Sequence, residues 1–308
     1  MKILLIILSI LFIITITILV ISFYKTFYSK NEQIKTKEII LPNISVYNKY
    51  KDIIIKDIID ARKLNPIQYY IKSFDGLILA AKYYENYENA PIEIMFHGYR
   101  GSSERDLSSG VRRAKACGHN VLLVDQRASG LSQGHVISFG INEHKDCFNW
   151  IKFVNKKFGP STKIILTGVS MGAATVMMAT KYNLPKNVIG VIADCGYNSP
   201  KNIIKKVIKE MKLPPNIFYP LVSLSARIFG NFNLNELSPL SAVKTAKTPI
   251  IFFHGEADEF IPCTMSQELF NNCSSKKEIF IVPNADHGIS YLIEPDKYVD
   301  YVKSFFSN

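Results

Sequence analysis

The chain opens on a run without charge: from Ile3 to Phe23, 21 residues, the polar side chains are only Ser9, Thr15, Thr17 and Ser22. A helix rising about 1.5 Å per residue needs about 20 apolar residues to cross the hydrocarbon layer of a bilayer. The pattern therefore predicts a transmembrane anchor over residues 1–24. A cleaved signal peptide has a shorter apolar core followed by small residues. Here the run leads instead into Phe23-Tyr24-Lys25, and Phe23, Tyr24, Phe27 and Tyr28 suit an interfacial aromatic belt. Residues 25–66 are rich in Lys, Ile and Asn and predict a tether, with one amphipathic helix around 50–63.

From residue 67 strand-like and helix-like runs alternate. Strands are predicted over 67–73, 77–84, 92–97, 120–125, 163–169, 187–193, 249–254 and 278–282, and helices over 103–117, 142–158, 171–182, 266–272 and 295–306. The later strands are continuous apolar runs, as expected of parallel strands buried on both faces. Such alternation predicts one α/β domain over 67–308, a mostly parallel central sheet with helices on both faces. Residues 196–240 are too long for an ordinary crossover. Ile203, Ile204, Val207 and Ile208 have helical spacing, followed by Pro214-Pro215, which reads as an inserted helical cap. A single lengthened crossover helix with a loop is the alternative.

Charge changes little in this picture. The 37 basic and 26 acidic residues leave a net charge of +11, but the lysines are scattered, as on a solvated surface near anionic lipid. A nucleic-acid interface would need a basic stripe with interleaved aromatics, which the chain lacks. The five cysteines form no CxxC pair, which argues against a disulfide framework and against zinc. Membrane orientation stays open. Lys25, Lys30, Lys35 and Lys37 would keep the domain that follows inside by the positive-inside rule, whereas a very short N-terminal tail favours its export.

The strongest chemical signal is Gly168-Val169-Ser170-Met171-Gly172, between the apolar run IILT and the helical AATVMMAT. A G-x-S-x-G joining a strand to a helix is a nucleophile elbow. The turn is too sharp for flanking side chains, and Ser170 is held exposed in a strained backbone. A serine hydroxyl needs a base. Of six histidines, His287 stands in the loop after the last strand and before the final helix. The orienting acid belongs on the loop after the penultimate strand, where Asp258 lies. Asp194, at the end of the strand before the cap, is the rival. Two backbone N–H groups are expected to hold the oxyanion: that of Met171, after the nucleophile, and that of Tyr99 in the turn His97-Gly98-Tyr99-Arg100-Gly101.

With these residues the chain resembles the α/β-hydrolase superfamily, in its branch of bacterial serine aminopeptidases and acylglycerol-lipase-like esterases. The resemblance runs over 67–306 and rests on HGYRG (97–101), DQRASGLSQG (125–134), GVSMG (168–172), DCGYNSP (194–200), HGEADEFIP (254–262) and ADHG (285–288), in family order. It implies an α/β-hydrolase fold and a membrane-anchored serine hydrolase acting on an ester or related acyl bond. Asp125 and Arg127 become structural or site-wall residues. Ala128 departs from the pattern, since the family often carries Gly there. An aminopeptidase or an acyltransferase would use the same nucleophile, and a non-catalytic membrane scaffold on this fold would be expected to have lost a member of the triad.

No metal or cofactor is implied, because H-E-x-x-H, P-loop and dinucleotide fingerprints are missing from the sequence. The expected partners are a small acyl substrate and membrane lipid, with the oligomeric state open. Every chemical motif lies beyond residue 90, so the anchor is expected to be separable from the chemistry. Four of the seven arginines, Arg100, Arg105, Arg112 and Arg113, follow the oxyanion turn. Three read as a solvated helix face partnered by Glu104 and Asp106. Arg100, next to Tyr99, is expected to reach the pocket mouth and favour an anionic substrate.

Overall fold

In a computed structural model of the protein the described residues are 1–30, 39, 41 and 45–307. Part of the predicted tether lies outside them. The elements are α1 (Lys2–Thr26), α2 (Ser45–Lys63), β1 (Ile67–Lys72), β2 (Ile78–Tyr84), β3 (Ile92–Phe96), α3 (Ser103–Cys117), β4 (Asn120–Asp125), α4 (Glu143–Phe158), β5 (Ile164–Val169), α5 (Met171–Ala179), β6 (Val188–Asp194), α6 (Pro200–Glu210), α7 (Pro215–Gly230), α8 (Pro239–Val243), β7 (Ile250–Gly255), α9 (Thr264–Asn272), β8 (Lys277–Val282), α10 (Ser290–Ile293) and α11 (Pro295–Ser307).

The eight strands form one sheet in the order β1-β2-β4-β3-β5-β6-β7-β8. β1 and β2 pair antiparallel, as do β2 and β4, and every later pair is parallel. Alternation along the central strands feeds two layers. Ile92, Ile94 and Phe96 of β3, and Ile250 and Phe252 of β7, enter a core with Trp150 of α4 and Val176 of α5. Met95 points the other way, toward Val111 of α3, and Phe253 toward Tyr298 and Val302 of α11. Strands buried on both faces in this way explain why their sequences read as unbroken apolar runs.

A carboxylate interrupts those apolar runs. Glu93 of β3 is fully buried and pairs with Arg113 of α3, accepts a hydrogen bond from Thr167, and lies 2.7 Å from His119 Nδ1. Burial alone would raise its carboxyl, but Arg113 and His119 bring it down to about 2. Arg113 is thus a buried ion-pair partner rather than part of a solvated helix face. Arg112 is held by Asp57 of α2, and Glu104 by Arg62 and Lys82, so α2 is clamped to α3. Breaking a buried pair leaves an uncompensated charge. Arg113→Met should cost about 3 kcal/mol near neutral pH, read as a drop in Tm of roughly 6–10 °C. Folded Glu93 is depressed, so its stabilisation is present above the ordinary carboxylate pKa of about 4.3 and fades as pH falls toward 2. The variant's deficit should therefore shrink in acid, where Glu93 takes a proton.

Between β6 and β7 the chain places α6, α7 and α8. Pro215 opens α7 where its missing N–H costs nothing. Ile203, Ile204 and Ile208 of α6 join Val222 and Ala226 of α7 in a second core. That core also takes in Phe23 and Phe27 from the N-terminal segment, together with Phe139, Met171 and Phe232. The first helix therefore does not stand apart from the domain. Leu19, Phe23 and Phe27 are buried against it, while residues 2–15 are exposed throughout.

Candidate active site

The site is built at the carboxyl ends of β5, β7 and β8. Ser170 sits between β5 and α5 with φ 57° and ψ −117°, a left-handed backbone that a serine adopts only under constraint. The flanking glycines permit it: a Cβ on Gly172 would overlap the Phe96 carbonyl, and one on Gly168 would overlap the Gly172 backbone. Ser170 N–H donates to the Asp194 carbonyl at 2.8 Å, tying the turn to the neighbouring strand.

His287 Nε2 lies 3.0 Å from Ser170 Oγ, and His287 Nδ1 lies 2.7 Å from Asp258 Oδ2. The three side chains singled out in the sequence are brought together from three separate loops. The Asp258 carboxyl is buried, which by itself raises its pKa. Hydrogen bonds from His254, His287 and the Ile261 amide outweigh burial and bring it down to about 2, so it is ionised at neutral pH. The rival Asp194 turns elsewhere. Its carboxylate accepts from Ser290 at 3.0 Å and Tyr298 at 3.2 Å, and burial holds its pKa above the usual carboxylate range.

One partner was not read from the sequence. His254, next to the end of β7, is fully buried, with Nε2 3.2 Å from Asp258 Oδ2 and 2.7 Å from the Ile261 carbonyl, and Nδ1 2.6 Å from Ser266 Oγ. It fixes the carboxylate from behind. In sequence it is one more strand-ending histidine before glycine, like His97, and nothing local distinguishes it.

The turn after β3 abuts the nucleophile. A Cβ on Gly98 would stand 3.6 Å from Ser170 Cβ. His97 locks this turn: Nδ1 lies 2.8 Å from the Gly98 carbonyl, and Nε2 accepts the Gln126 N–H at 3.0 Å. Burial keeps the ring's pKa low, so it stays neutral, as that donor–acceptor pattern requires. Met171 is the first residue of α5, where helical amides lack intrahelical partners. The turn after β4 is structural: Asp125 accepts from the Ser103 and Leu131 amides, and Arg127 pairs with Asp146 and Asp75. Ala128 takes φ 61°, the region suited to the glycine common in the resembling family.

Ser170 opens into a cavity of about 390 Å³. Its walls include Phe139, Tyr197, Ile204, Val207 and Val222, and, from α1, Ile18, Ile21, Ser22, Lys25 and Thr26. This corrects the expectation that the N-terminal helix is separable from the site. A second correction concerns Arg100. It does not line the cavity; Nη2 donates to the Lys25 and Tyr28 carbonyls at 3.0 and 2.9 Å, and Nε to Tyr99 Oη at 2.8 Å. Its role is to tie down the end of α1, and the expected contact of Arg100 with an anionic substrate is not seen.

Cys195, Asp258 and His287 offer donor atoms within 4.8 Å of one another, as a metal site would. The set fits a metal poorly. Burial keeps the Cys195 thiol well above its usual pKa and hence protonated, and both imidazole nitrogens already have partners.

A model of the α/β-hydrolase fold matches residues 94–230, the stretch from β3 through the elbow into the cap. The chain has the α/β-hydrolase fold. The chain is 27% identical over 192 residues to the uncharacterized protein YqkD of Bacillus subtilis, covering 62% of this chain and 63% of that one. It is thus matched over somewhat less than two thirds of that relative's length. Bem46 of Schizosaccharomyces pombe is 24% identical over 226 residues (72% of this chain, 69% of its own), and the uncharacterized membrane protein YNL320W of Saccharomyces cerevisiae 28% over 191 residues (61% of each). Among solved structures, the Pyrococcus furiosus esterase Pf2001 shares the fold with a TM-score of 0.65 at 20% identity, covering 88% of this chain and 96% of the esterase.

Proposed function

We propose that this protein is a membrane-anchored serine esterase that cleaves an apolar acyl ester through Ser170, His287 and Asp258. The observation that carries the reading is the unbroken chain from Asp258 through His287 to Ser170 at the floor of an apolar cavity. His287 takes the Ser170 proton as Oγ bonds to the ester carbon, and ionised Asp258 stabilises the imidazolium. The Met171 and Tyr99 amides receive the oxyanion. The carbon–oxygen bond to the alcohol then breaks, and His287 returns the proton to that oxygen. Water, deprotonated by His287, attacks the acyl carbon; the bond from that carbon to Ser170 Oγ breaks, His287 returns the proton to Oγ, and the carboxylic acid leaves. The N-terminal helix supplies the anchor: 25 residues with no charge between Lys2 and Lys25, long enough to cross a bilayer.

The lining favours an ester over an aminopeptidase substrate. A free α-ammonium needs a carboxylate to receive it, whereas among the described lining residues the charged side chain is Lys25. A panel of 4-nitrophenyl acyl esters beside aminoacyl 4-nitroanilides, run on the full chain in detergent, tests this. Turnover of the esters, with little or none of the anilides, is expected; the reverse order would replace the esterase by a peptidase.

A further inference from the structure

The end of α1 is built into the catalytic machinery. A helix leaves its last carbonyls without intrahelical partners, and here the domain supplies partners at the end of α1 and just beyond it. Arg100 donates to the Lys25 and Tyr28 carbonyls, Tyr99 Oη to that of Thr26 at 2.8 Å, and the Ile137 amide to that of Phe27 at 2.8 Å. Two of these donors belong to the turn that abuts Ser170. The backbone continues the attachment, with Ser29 N–H donating to the His135 carbonyl at 2.8 Å. One turn further back, Ile18, Ile21 and Ser22 face the cavity opposite α6 and α7.

Length then fixes how deep that wall lies. The exposed part of α1, residues 2–15, holds 14 residues and rises about 21 Å, short of the ~30 Å of a hydrocarbon core. The missing ~9 Å takes about six more residues, which brings residues 16–21 into the apolar layer. Those residues already lie against the cap, so the cap must meet the bilayer there. Its surface suits that position: α7 exposes Ile217, Leu224 and Ile228 on one face and Phe229 beside them, and Met211 precedes it. α6 carries Lys201, Lys205, Lys206 and Lys209, cations suited to anionic headgroups.

We propose that α1 forms one wall of the acyl-binding pocket, and that the pocket opens between α1 and the cap directly into the bilayer, so that the substrate is a membrane-resident lipid ester whose acyl chain lies along Ile18 and Ser22. This rests on the serine-esterase reading and adds to it the substrate's physical source and the part that selects the chain. The anchor is a working part of the enzyme as well as a tether.

The test uses the full chain in phospholipid vesicles with 4-nitrophenyl acetate and 4-nitrophenyl dodecanoate. Ile18→Trp and the milder Ser22→Leu both narrow the wall, while Ile7→Trp alters only the lipid-facing turn. Both wall variants should lower kcat/KM for the dodecanoyl ester by about tenfold or more relative to the acetyl ester, the scale on which a pocket senses a few carbons. Ile7→Trp should leave the ratio at the wild-type value. If neither wall variant changes that ratio, or if Ile7→Trp shifts it equally, the proposal is overturned while the esterase reading stands. A wild-type protein that hydrolyses neither ester overturns the esterase reading itself, and the proposal falls with it.

Discussion

Replacing Ser170 by Ala should lower ester turnover by at least about ten-thousand-fold, because members of such a triad act as a unit and little of the chemistry survives the loss of one. The fold should tolerate the change. Ser170 makes its structural hydrogen bonds through the backbone, N–H to the Asp194 carbonyl and C=O from the Ala174 amide, and both survive in alanine. Alanine at φ 57° is strained as serine is, so a cost of the order of 1 kcal/mol or less is expected. A single-turnover assay separates the outcomes: a burst of 4-nitrophenol from the alanine protein would mean that another nucleophile attacks.

The second large effect distinguishes two carboxylates that the sequence leaves as rivals. Asp258→Asn should reduce kcat by about ten-thousand-fold, since an amide facing His287 Nδ1 favours the wrong tautomer. Asp194→Asn should leave kcat within about tenfold, its carboxylate facing Ser290 and Tyr298 rather than His287. The pH dependence follows from the same geometry. Asp258 is held near 2, and its depressed value means that its charge is present above the ordinary carboxylate range and is lost only as pH falls toward 2. Wild-type activity in mild acid should therefore not be limited by protonation of Asp258. An Asp194→Asn protein more damaged than Asp258→Asn would reverse the assignment.

The strands were legible because each is an unbroken apolar run that two layers of helices cover, and the ends of β3, β5 and β7 fall within a residue of where the runs stop. Ser170 and His287 were legible because a strand–Gly–Ser–Gly–helix junction and a histidine after the last strand are local features. Other features depend on direction, which a linear pattern does not carry. Asp194 and Asp258 both leave a strand end at the same sheet edge, and only the fold shows that one points at His287 and the other under the sheet. His254 supports Asp258 from a position that reads as an ordinary strand terminus. Arg113 and Glu93 lie 20 residues apart on a helix and a strand, and their pairing depends on how α3 crosses the sheet. Hydropathy identified the first helix as long enough for a membrane but said nothing about what its last turns touch, which is where the expectation of a detachable anchor failed.

The central claim is that Ser170 is an activated nucleophile, and it meets its most direct test in covalent labelling. The full chain in detergent is treated with a fluorophosphonate, digested, and its peptides are mapped by mass spectrometry. The account predicts one phosphonyl adduct, on Ser170, formed by the native protein and lost in His287→Ala and after unfolding. A native protein that carries no adduct on Ser170, or carries one equally in His287→Ala, would contradict it.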